Sequence, residues 1–428
     1  MTTLDNPRDN AVEQSSDLTP QQRFREVRAV TDTLASRLSA EDQTPQSMPE
    51  ASPTKWHRAH TTWFFEEFIL RSVPTYAVFD ERFRYLFNSY YEAVGDRHPR
   101  PERGLVTRPG IDEIAAYRRH VDDAMVDLLR RGALGDDALA LLELGCNHEQ
   151  QHQELLLMDV KHLFSTVPMS PGPVYVERGA DAPAESDPLR WRSVAGGVTE
   201  IGAHGDGFAY DNEGPRHRVF LEDFEIARRP VTNADWWEFM ADGGYRRPDL
   251  WLSDGWTHIR NTGWSAPGYW RFDDDAGWTT FTLSGRRPVV ADEPVLHVSF
   301  FEADAFARWA GARLPTEFEW ERAAADVDSL RGELLDPDRC HPRSTGHLNG
   351  GGAMIGNVWE WTASAYLPYP GFAPANGAVG EYNGKFMCDQ HVLRGASAVT
   401  PRGHERITYR NFFPAAARWA FSGFRLAR

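Results

Sequence analysis

The hydrophobic pattern of this chain changes near residue 165, and the change predicts two domains of different construction. The chain enters its first helical segment at Thr19-Pro20-Gln21-Gln22, which offers an N-cap, a first-turn proline and a capping-box glutamine. Apolar residues then recur at intervals of three and four in four stretches, at about 19–38, 52–69, 114–128 and 136–164. Four such helices predict an up-and-down bundle over residues 19–165, with a long crossover at about 71–110.

The remainder of the chain lacks this periodicity. Residues 166–190 are rich in Pro, Gly, Ala and Ser and are typical of a linker, while residues 1–18 are polar and are expected to be disordered. Across 191–428, short apolar runs alternate with Gly, Pro and Asp clusters, and one clear helix is visible at 299–310. This pattern predicts a loop-rich α+β domain, and two domains suit a length of 428 residues.

Charge and composition narrow the class of partner. The net charge of -16 repels phosphate backbones and anionic lipid surfaces, so binding to nucleic acid or to a membrane is not expected. No signal peptide and no apolar run of about 20 residues is visible, which favours the cytoplasm. The three cysteines, Cys146, Cys340 and Cys388, are far apart and are expected to be reduced thiols. The expected partner is therefore a small molecule.

The fourth predicted helix carries a pair of histidines that could bind a metal. His148 and His152 are four residues apart, so their side chains lie on one helix face about 5–6 Å apart at Cβ. A third ligand must come from elsewhere, and the second helix offers His57 and His60, between which the spacing does not choose. Three neutral imidazoles suit Zn, Fe or Cu.

Two other interpretations of this pair stay open. The two histidines could be hydrogen-bonded core residues without a metal. His148-Glu149-Gln150-Gln151-His152 also fits the H-E-x-x-H pattern of zinc peptidases, although no Gly and His follow at metzincin spacing.

Several separated motifs together resemble one enzyme family. Ser52-Pro53, Ala59-His60-Thr61 and the segment 148–155 resemble the DinB-type bundle of the ergothioneine-biosynthesis sulfoxide synthases, which use a three-histidine non-heme iron. The C-terminal half resembles the domain of formylglycine-generating enzymes, a C-type-lectin-related fold. Its motifs lie at 230–233, 313–321, 356–361, 392–397 and 423–425.

The resemblance implies a cofactor and a reaction. The Fe(II) ligands of the family fall on His60, His148 and His152, which makes His57 a non-ligand. Family members use O2 to join the thiol of cysteine or γ-glutamylcysteine to the imidazole of hercynine, the betaine of histidine, as a sulfoxide. Formylglycine-generating activity, in contrast, needs copper-binding cysteines late in the domain, and no cysteine follows Cys388.

The resemblance also implies a proton donor. In one branch of the family this donor is a tyrosine of the C-terminal domain, and the corresponding position here, near Val379 or Gly380, lacks it. Phe87-Asn88-Ser89-Tyr90-Tyr91-Glu92 resembles a second branch, in which adjacent tyrosines of the crossover enter the site. Tyr90 and Tyr91 are therefore the candidate catalytic residues, and aromatic packing is the alternative.

Substrate contacts follow from the same resemblance. Gln151, Asn411 and Phe412 match positions that hold hercynine, and Tyr382 could add a second aromatic wall beside its trimethylammonium group. In relatives that use γ-glutamylcysteine, an Asp follows the Asn-aromatic pair and an Arg lies four residues further on. Phe413 and Ala417 take these places here, so free cysteine is the expected thiol.

Two arginines of the crossover are candidate carboxylate clamps for that thiol, Arg100 and Arg103, and a solvated basic turn is the alternative. Three alternatives to a cysteine-using hercynine enzyme also stay open. They are a γ-glutamylcysteine-using synthase, a cysteine–histidine synthase of the ovothiol type, and a metal or thiol-stress sensor with a lectin-like binding domain.

Overall fold

The computed structural model describes residues 18–169, 172, 174–175, 188–205, 207–325, 332–344 and 354–428. The segment expected to be disordered lies outside these residues apart from Leu18, as does most of the expected linker at 166–190. Within the described ranges, no helix is both long enough and apolar enough to cross a membrane.

The N-terminal part is helical, as predicted. Its helices are α1 (Pro20–Ala35), α2 (Thr54–Phe68), α3 (Phe83–Leu86), α4 (Ile111–Arg130) and α5 (Asp136–Thr166). The predicted capping box at the start of α1 is confirmed, since the Thr19 hydroxyl accepts from the Gln22 backbone N–H and the Gln22 side chain accepts from the Thr19 backbone N–H. The long crossover contains α3 and two 3-10 turns, at Leu70–Ser72 and Arg100–Leu105.

A buried ion network fixes the rotation of α5 within the bundle. Glu149 on α5 is fully buried and accepts hydrogen bonds from Arg28 Nη1 at 2.7 Å and Thr31 Oγ1 at 2.7 Å, both on α1. Arg118 Nη2 of α4 donates to the same carboxylate at 3.2 Å. The Glu149 face of α5 thus points into the bundle, and the remaining circumference points toward α2 and the C-terminal domain.

The C-terminal part is a mixture of short strands and short helices. Its largest sheet has four strands, in the order β10 (Asn411–Pro414), β9 (Gln390–Arg394), β8 (Trp359–Ala365) and β11 (Ser422–Gly423). These strands are antiparallel except for the β11–β8 pair. The strands are β1 (Trp191–Val194), β2 (Gly197–Ile201), β3 (His217–Leu221), β4 (Phe224–Ala227), β5 (Trp270–Asp273), β6 (Gly277–Thr282), β7 (Gly285–Pro288), β8 (Trp359–Ala365), β9 (Gln390–Arg394), β10 (Asn411–Pro414) and β11 (Ser422–Gly423).

The helix predicted at 299–310 is confirmed, and the described residues of this domain contain three further helices. It is α8 (Phe300–Trp309), and the other helices are α6 (Asn233–Ala241), α7 (Ser253–Thr262) and α9 (Glu317–Ala325). Each of these three is only 9 or 10 residues long, which is too short for an apolar period to stand out. The 3-10 turns are Asp211–Glu213, Gly244–Arg246, Pro248–Leu250, Ala378–Glu381 and Gly384–Phe386.

Glu360, from the motif at 356–361, acts in packing. Glu360 of β8 accepts from Arg425 Nε at 2.5 Å, from Arg425 Nη2 at 2.7 Å and from the Trp320 indole at 2.7 Å. All three side chains are at most 1% exposed, so this bidentate pair ties the C-terminus of the chain to the sheet and to α9.

Candidate metal centre and adjoining cavity

Three histidines from two helices converge at one point. His60 of α2 and the α5 pair His148 and His152 each offer one ring nitrogen, and these three nitrogens all lie within 4.8 Å of one another. The α5 pair shares a face because of its four-residue spacing. The packing of α2 against α5 then brings His60 opposite that face.

The His60 ring is held in one plane and one tautomer. Its imidazole lies between the indoles of Trp56 and Trp63, with ring centroids 4.6 Å and 5.6 Å away. Its Nδ1 lies 2.7 Å from the Phe87 carbonyl oxygen, which can only accept a hydrogen bond. Nδ1 therefore carries the proton, and the lone pair of Nε2 points toward His148.

The donor set fits a metal cation. His60 Nε2 and His148 Nε2 are 3.1 Å apart, and two nitrogens bound about 2.1 Å from one ion at right angles are about 3.0 Å apart. Burial lowers the pKa of His148 to about 3, and burial followed by the neighbouring imidazoles holds the pKa values of His60 and His152 well below 6.5. All three rings are thus neutral at pH 7, the state in which imidazole binds metals.

His57 lies beside this group. Its Nδ1 is 2.8 Å from His152 Nδ1, and its Nε2 is 3.0 Å from Asp159 Oδ2. The structure thus separates the two histidines that the spacing left open, because His60 belongs to the convergent trio and His57 contacts Nδ1 of His152. Burial lowers the pKa of His57, which favours the neutral ring.

The position of Glu149 argues against the peptidase interpretation. A peptidase of the H-E-x-x-H type uses this glutamate as a general base beside the metal. Glu149 instead points into the bundle, where Arg28, Thr31 and Arg118 occupy its carboxylate. It does not line the cavity next to the histidines.

The histidine group borders a cavity of about 390 Å³ between the bundle and the C-terminal domain. His148 and His152 line it, together with His57. The other walls come from the crossover, from 3-10 turns of the C-terminal domain and from strand β10. The candidate catalytic residue Tyr90 lines this space, and so do all seven residues expected to bind substrate: Arg100, Arg103, Gln151, Tyr382, Asn411, Phe412 and Phe413.

The two candidate tyrosines of the crossover differ in position. Tyr90 lines the cavity, and its ring contacts Tyr382 at 6.3 Å and Phe386 at 5.2 Å between centroids. Tyr91 is fully buried outside the cavity lining and packs against Trp63 at 5.6 Å. Burial raises the pKa values of both phenols, so each keeps its proton at neutral pH.

Three hydrogen bonds hold the Tyr90 segment against the C-terminal domain. The Glu381 carboxylate accepts from the backbone N–H groups of Glu92 and Ala93 at 3.0 Å and 2.8 Å. Lys385 Nζ donates to the Tyr90 carbonyl oxygen. The crossover of the helical bundle thus contacts the 3-10 turns of the C-terminal domain that contain Glu381 and Lys385.

Gln151 is held between two tyrosines of the C-terminal domain. The Tyr382 hydroxyl donates to Gln151 Oε1, and Gln151 Nε2 donates to the Tyr409 hydroxyl at 2.5 Å. The Tyr382 ring stacks on Tyr210 at 5.4 Å and lies 5.7 Å from the His148 ring. These rings form an aromatic wall next to the histidine group.

Strand β10 supplies another part of the cavity wall. Asn411 and Phe412 are half-buried, and the Phe412 ring stacks on Tyr366 at 4.1 Å. Phe413, in the place where an Asp was expected for γ-glutamylcysteine users, also faces the cavity. Ala417, in the place of the expected Arg, is buried and lies outside the cavity lining.

The two arginines of the crossover also differ. Arg100 is exposed and donates to the Glu50 carbonyl oxygen. Arg103 is 2% exposed, so the solvated-turn alternative does not describe it. Its guanidinium lies 3.4 Å above the Trp56 ring and donates to the hydroxyls of Ser52 and Ser89 at 2.9 Å and 3.0 Å.

Sequence reasoning missed several residues of this site, among them Tyr210, Tyr409 and Asp159. Tyr210 directly precedes the 3-10 turn Asp211–Glu213, far from every motif, and Asp159 lies on α5 seven residues after His152. For Asp159 a signal existed, because an acidic residue about two helical turns beyond two inward-facing histidines is costly to bury without a partner.

Comparison with known proteins agrees with this architecture. Residues 23–156 match the DinB superfamily, and residues 183–346 and 340–428 match the sulfatase-modifying factor enzyme 1-like domain. The hercynine oxygenase of Mycolicibacterium smegmatis is 37% identical over 321 residues, covering 68% of this chain and 72% of that protein. The hercynine oxygenase of Mycolicibacterium thermoresistibile is 33% identical over 407 residues, covering 89% and 88%.

A more distant relative is ergothioneine biosynthesis protein 1 of Schizosaccharomyces pombe. It is 27% identical over 235 residues, covering 52% of this chain and 28% of that protein. The matches to the two mycolicibacterial proteins span most of their length and include both domains. The chain therefore belongs to the hercynine oxygenase family, in which a DinB superfamily bundle precedes a sulfatase-modifying factor domain.

Proposed function

We propose that this protein is an Fe(II)- and O2-dependent sulfoxide synthase that joins cysteine to the imidazole of hercynine in ergothioneine biosynthesis. The observation that carries this proposal is the trio His60, His148 and His152, two members of which line a cavity with an aromatic wall and a buried arginine. The names of the relatives support hercynine as the substrate and ergothioneine as the pathway.

The reaction balances with O2 as the only oxidant. A cysteine S–H and an imidazole C–H are broken, a C–S bond and an S–O bond form, and the second oxygen atom leaves as water. The four electrons that O2 takes up all come from the two substrates. When bound, Fe(II) supplies the binding and reduction of O2 and the activation of the thiol. Three histidines leave open positions on the ion for this purpose.

The aromatic wall suits the betaine end of hercynine. A trimethylammonium group has no N–H to donate, so it is favoured by ring faces, with a gain of about 0.5–2 kcal/mol for each good contact. Phe412, Tyr382 and Tyr210 present such rings around the cavity. Gln151 and Asn411 are the polar side chains proposed to orient the imidazole and carboxylate of hercynine.

Arg103 suits the carboxylate of cysteine. It donates to two serine hydroxyls instead of a carboxylate, and burial followed by the charge of Arg100 holds its pKa well below the usual value. An anion beside this guanidinium would offset the cost of its burial. Free cysteine is the proposed thiol, because Phe413 and Ala417 offer no charged partner to a γ-glutamyl extension.

Tyr90 is the proposed proton donor, since it lines the cavity and Tyr91 does not. A protonated phenol near the developing sulfoxide could supply the proton that O2 reduction consumes. Tyr91 then supports the position of the Tyr90 ring, 4.7 Å away.

The direct test is an oxygen-electrode assay with protein loaded anaerobically with Fe(II). With hercynine and cysteine we expect oxygen uptake and a product with the mass of hercynylcysteine sulfoxide. Histidine and γ-glutamylcysteine serve as matched replacements for the two substrates. No oxygen uptake with any pair would favour the sensor alternative, whereas faster turnover with γ-glutamylcysteine or with histidine would overturn the choice of cysteine or of hercynine.

A further inference from the structure

We propose that His57 and Asp159 are positioning residues that fix the tautomer of His152 and so aim its Nε2 lone pair at the metal. The three side chains form a hydrogen-bonded line from Asp159 of α5 through His57 of α2 to His152 of α5. The inference rests on the metal site of the proposed function and is independent of the substrates.

The direction of each hydrogen bond in this line follows from the last acceptor. Asp159 Oδ2 accepts from the Ser52 backbone N–H at 2.8 Å and lies 3.0 Å from His57 Nε2. A carboxylate has no proton to donate, so His57 Nε2 is the donor in this contact. In the neutral His57 ring, Nδ1 must then be the acceptor.

His152 is constrained in turn. Its Nδ1 lies 2.8 Å from His57 Nδ1, which accepts, so His152 Nδ1 carries the proton. The lone pair of His152 is therefore on Nε2. The same logic applies to His60, whose Nδ1 proton goes to the Phe87 carbonyl oxygen. The tautomers of two of the three candidate ligands, His60 and His152, are thus fixed by different hydrogen-bond acceptors.

His57 and Asp159 are buried, so the hydrogen bonds between them and His152 affect the free energy of the folded protein. His57 is 3% exposed and Asp159 is 6% exposed, and uncompensated polar groups at such depth cost free energy. In known metal sites, carboxylate partners of a histidine ligand orient the ring and raise its basicity, and their loss costs about 10- to 100-fold in metal affinity. Here a second imidazole extends this arrangement by one residue.

The experiment measures metal affinity, with no need for turnover. Co(II) is titrated into the metal-free protein under anaerobic conditions, and the visible absorption of the bound ion reports occupancy. We expect His57→Phe and Asp159→Leu to weaken Co(II) binding by about 10- to 100-fold. His57→Gln should recover most of the affinity, because its amide oxygen can accept from His152 Nδ1.

The matched control is His162→Gln. His162 also lies on α5, but its Nδ1 contacts Ser47 Oγ at 2.7 Å, away from the trio. This variant should bind Co(II) like the unchanged protein. Equal affinity of His57→Phe and the unchanged protein would overturn the positioning role, and so would equal weakening in His57→Phe and His57→Gln.

A second measurement reads the tautomer itself. Nitrogen-15 NMR of the metal-free protein with labelled histidine should show His152 protonated at Nδ1, with a shift toward the other tautomer in His57→Phe. A proton on Nε2 of His152 in the unchanged protein would overturn the inference even if the protein binds metal. Absence of Co(II) binding by the unchanged protein would instead remove the metal site, and the proposed function with it.

Discussion

The indole of Trp359 donates to the carboxylate of Glu154 at 2.5 Å, and this contact joins the C-terminal sheet to the helix that carries two of the candidate ligands. Thr400 Oγ1 and Ser397 Oγ donate to the same carboxylate at 2.7 Å and 3.1 Å. Glu154 lies two residues after His152 on α5. This buried side chain therefore contributes to the register between the two walls of the cavity, together with the contacts of Gln151 and Glu381.

The Glu154 contact leads to a stability prediction. Burial raises the pKa of Glu154, so the folded state favours its protonated form more than the unfolded state does. The contribution of this group to stability is thus present at acidic pH and is lost as pH rises through the folded pKa. Glu154→Gln should show less loss of stability between pH 4 and pH 7 than the unchanged protein, measured by urea denaturation.

Glu149 should show the opposite pH dependence. Burial alone would raise its pKa, but the charges of Arg28 and Arg118 outweigh this and hold the pKa below the usual value. Its stabilising effect is present above the unfolded pKa of about 4.3 and is lost as pH falls through the folded pKa. Glu149→Gln should cost about 3–5 kcal/mol in the free energy of unfolding at pH 7. A deficit as large at pH 3 would contradict this account.

The crossover tyrosines should separate by product analysis. Tyr90→Phe removes a hydroxyl from the cavity and is expected to lower sulfoxide formation relative to cysteine dioxygenation. Tyr91→Phe should leave the product ratio nearly unchanged, because its ring packs behind Tyr90 against Trp63. The ratio is measured by mass spectrometry of the two products under identical Fe(II) loading. An unchanged ratio in Tyr90→Phe would remove it as the proton donor.

Arg103 should act on the carboxylate of the thiol substrate. Arg103→Met is expected to raise the KM for cysteine by about 10- to 100-fold, the range expected for a charge-assisted hydrogen bond. Cysteamine, which lacks the carboxylate, serves as the control substrate, and its KM should change much less. Equal effects on both thiols would indicate that Arg103 acts only in packing against Trp56.

Phe412 should act on the quaternary ammonium of hercynine. Phe412→Leu keeps an apolar side chain but removes the ring face, and the expected rise in the dissociation constant of hercynine is about 2- to 30-fold. Under the same conditions, the weak binding of histidine should change less, since it lacks the three methyl groups. Isothermal titration of both ligands into the metal-free protein provides the measurement.

The sequence predicted those features that are local in the chain. The spacing of His148 and His152 is enough to place both rings on one helix face, and the cap at Thr19 is contained within four residues. The choice between His57 and His60 is different, because both lie on the inward side of α2 and only its packing against α5 separates them. Spacing left that choice open, and the resemblance to a family selected His60.

Features set by contacts between distant segments were beyond sequence reasoning. Tyr210 and Tyr382 stack on each other although 172 residues separate them, and no local pattern signals this. The difference between Tyr90 and Tyr91 also arises from tertiary structure. Adjacent residues of an irregular segment point in different directions. The hydrogen bonds from the Glu92 and Ala93 backbone to Glu381 help to fix which of the two tyrosines lines the cavity.

The three histidines all come from the helical half, whereas the aromatic wall and strand β10 come from the other half. The candidate ligands and the aromatic part of the cavity wall are thus encoded in separate stretches of the gene, whereas Tyr90, Arg103 and Gln151 of the same wall share the stretch of the ligands. Recombination that exchanges the second stretch would give the same oxygen chemistry a new substrate range, provided that the incoming sequence keeps the tryptophan that meets Glu154. Such modularity offers a physical route by which one bundle could serve several sulfur-transfer pathways.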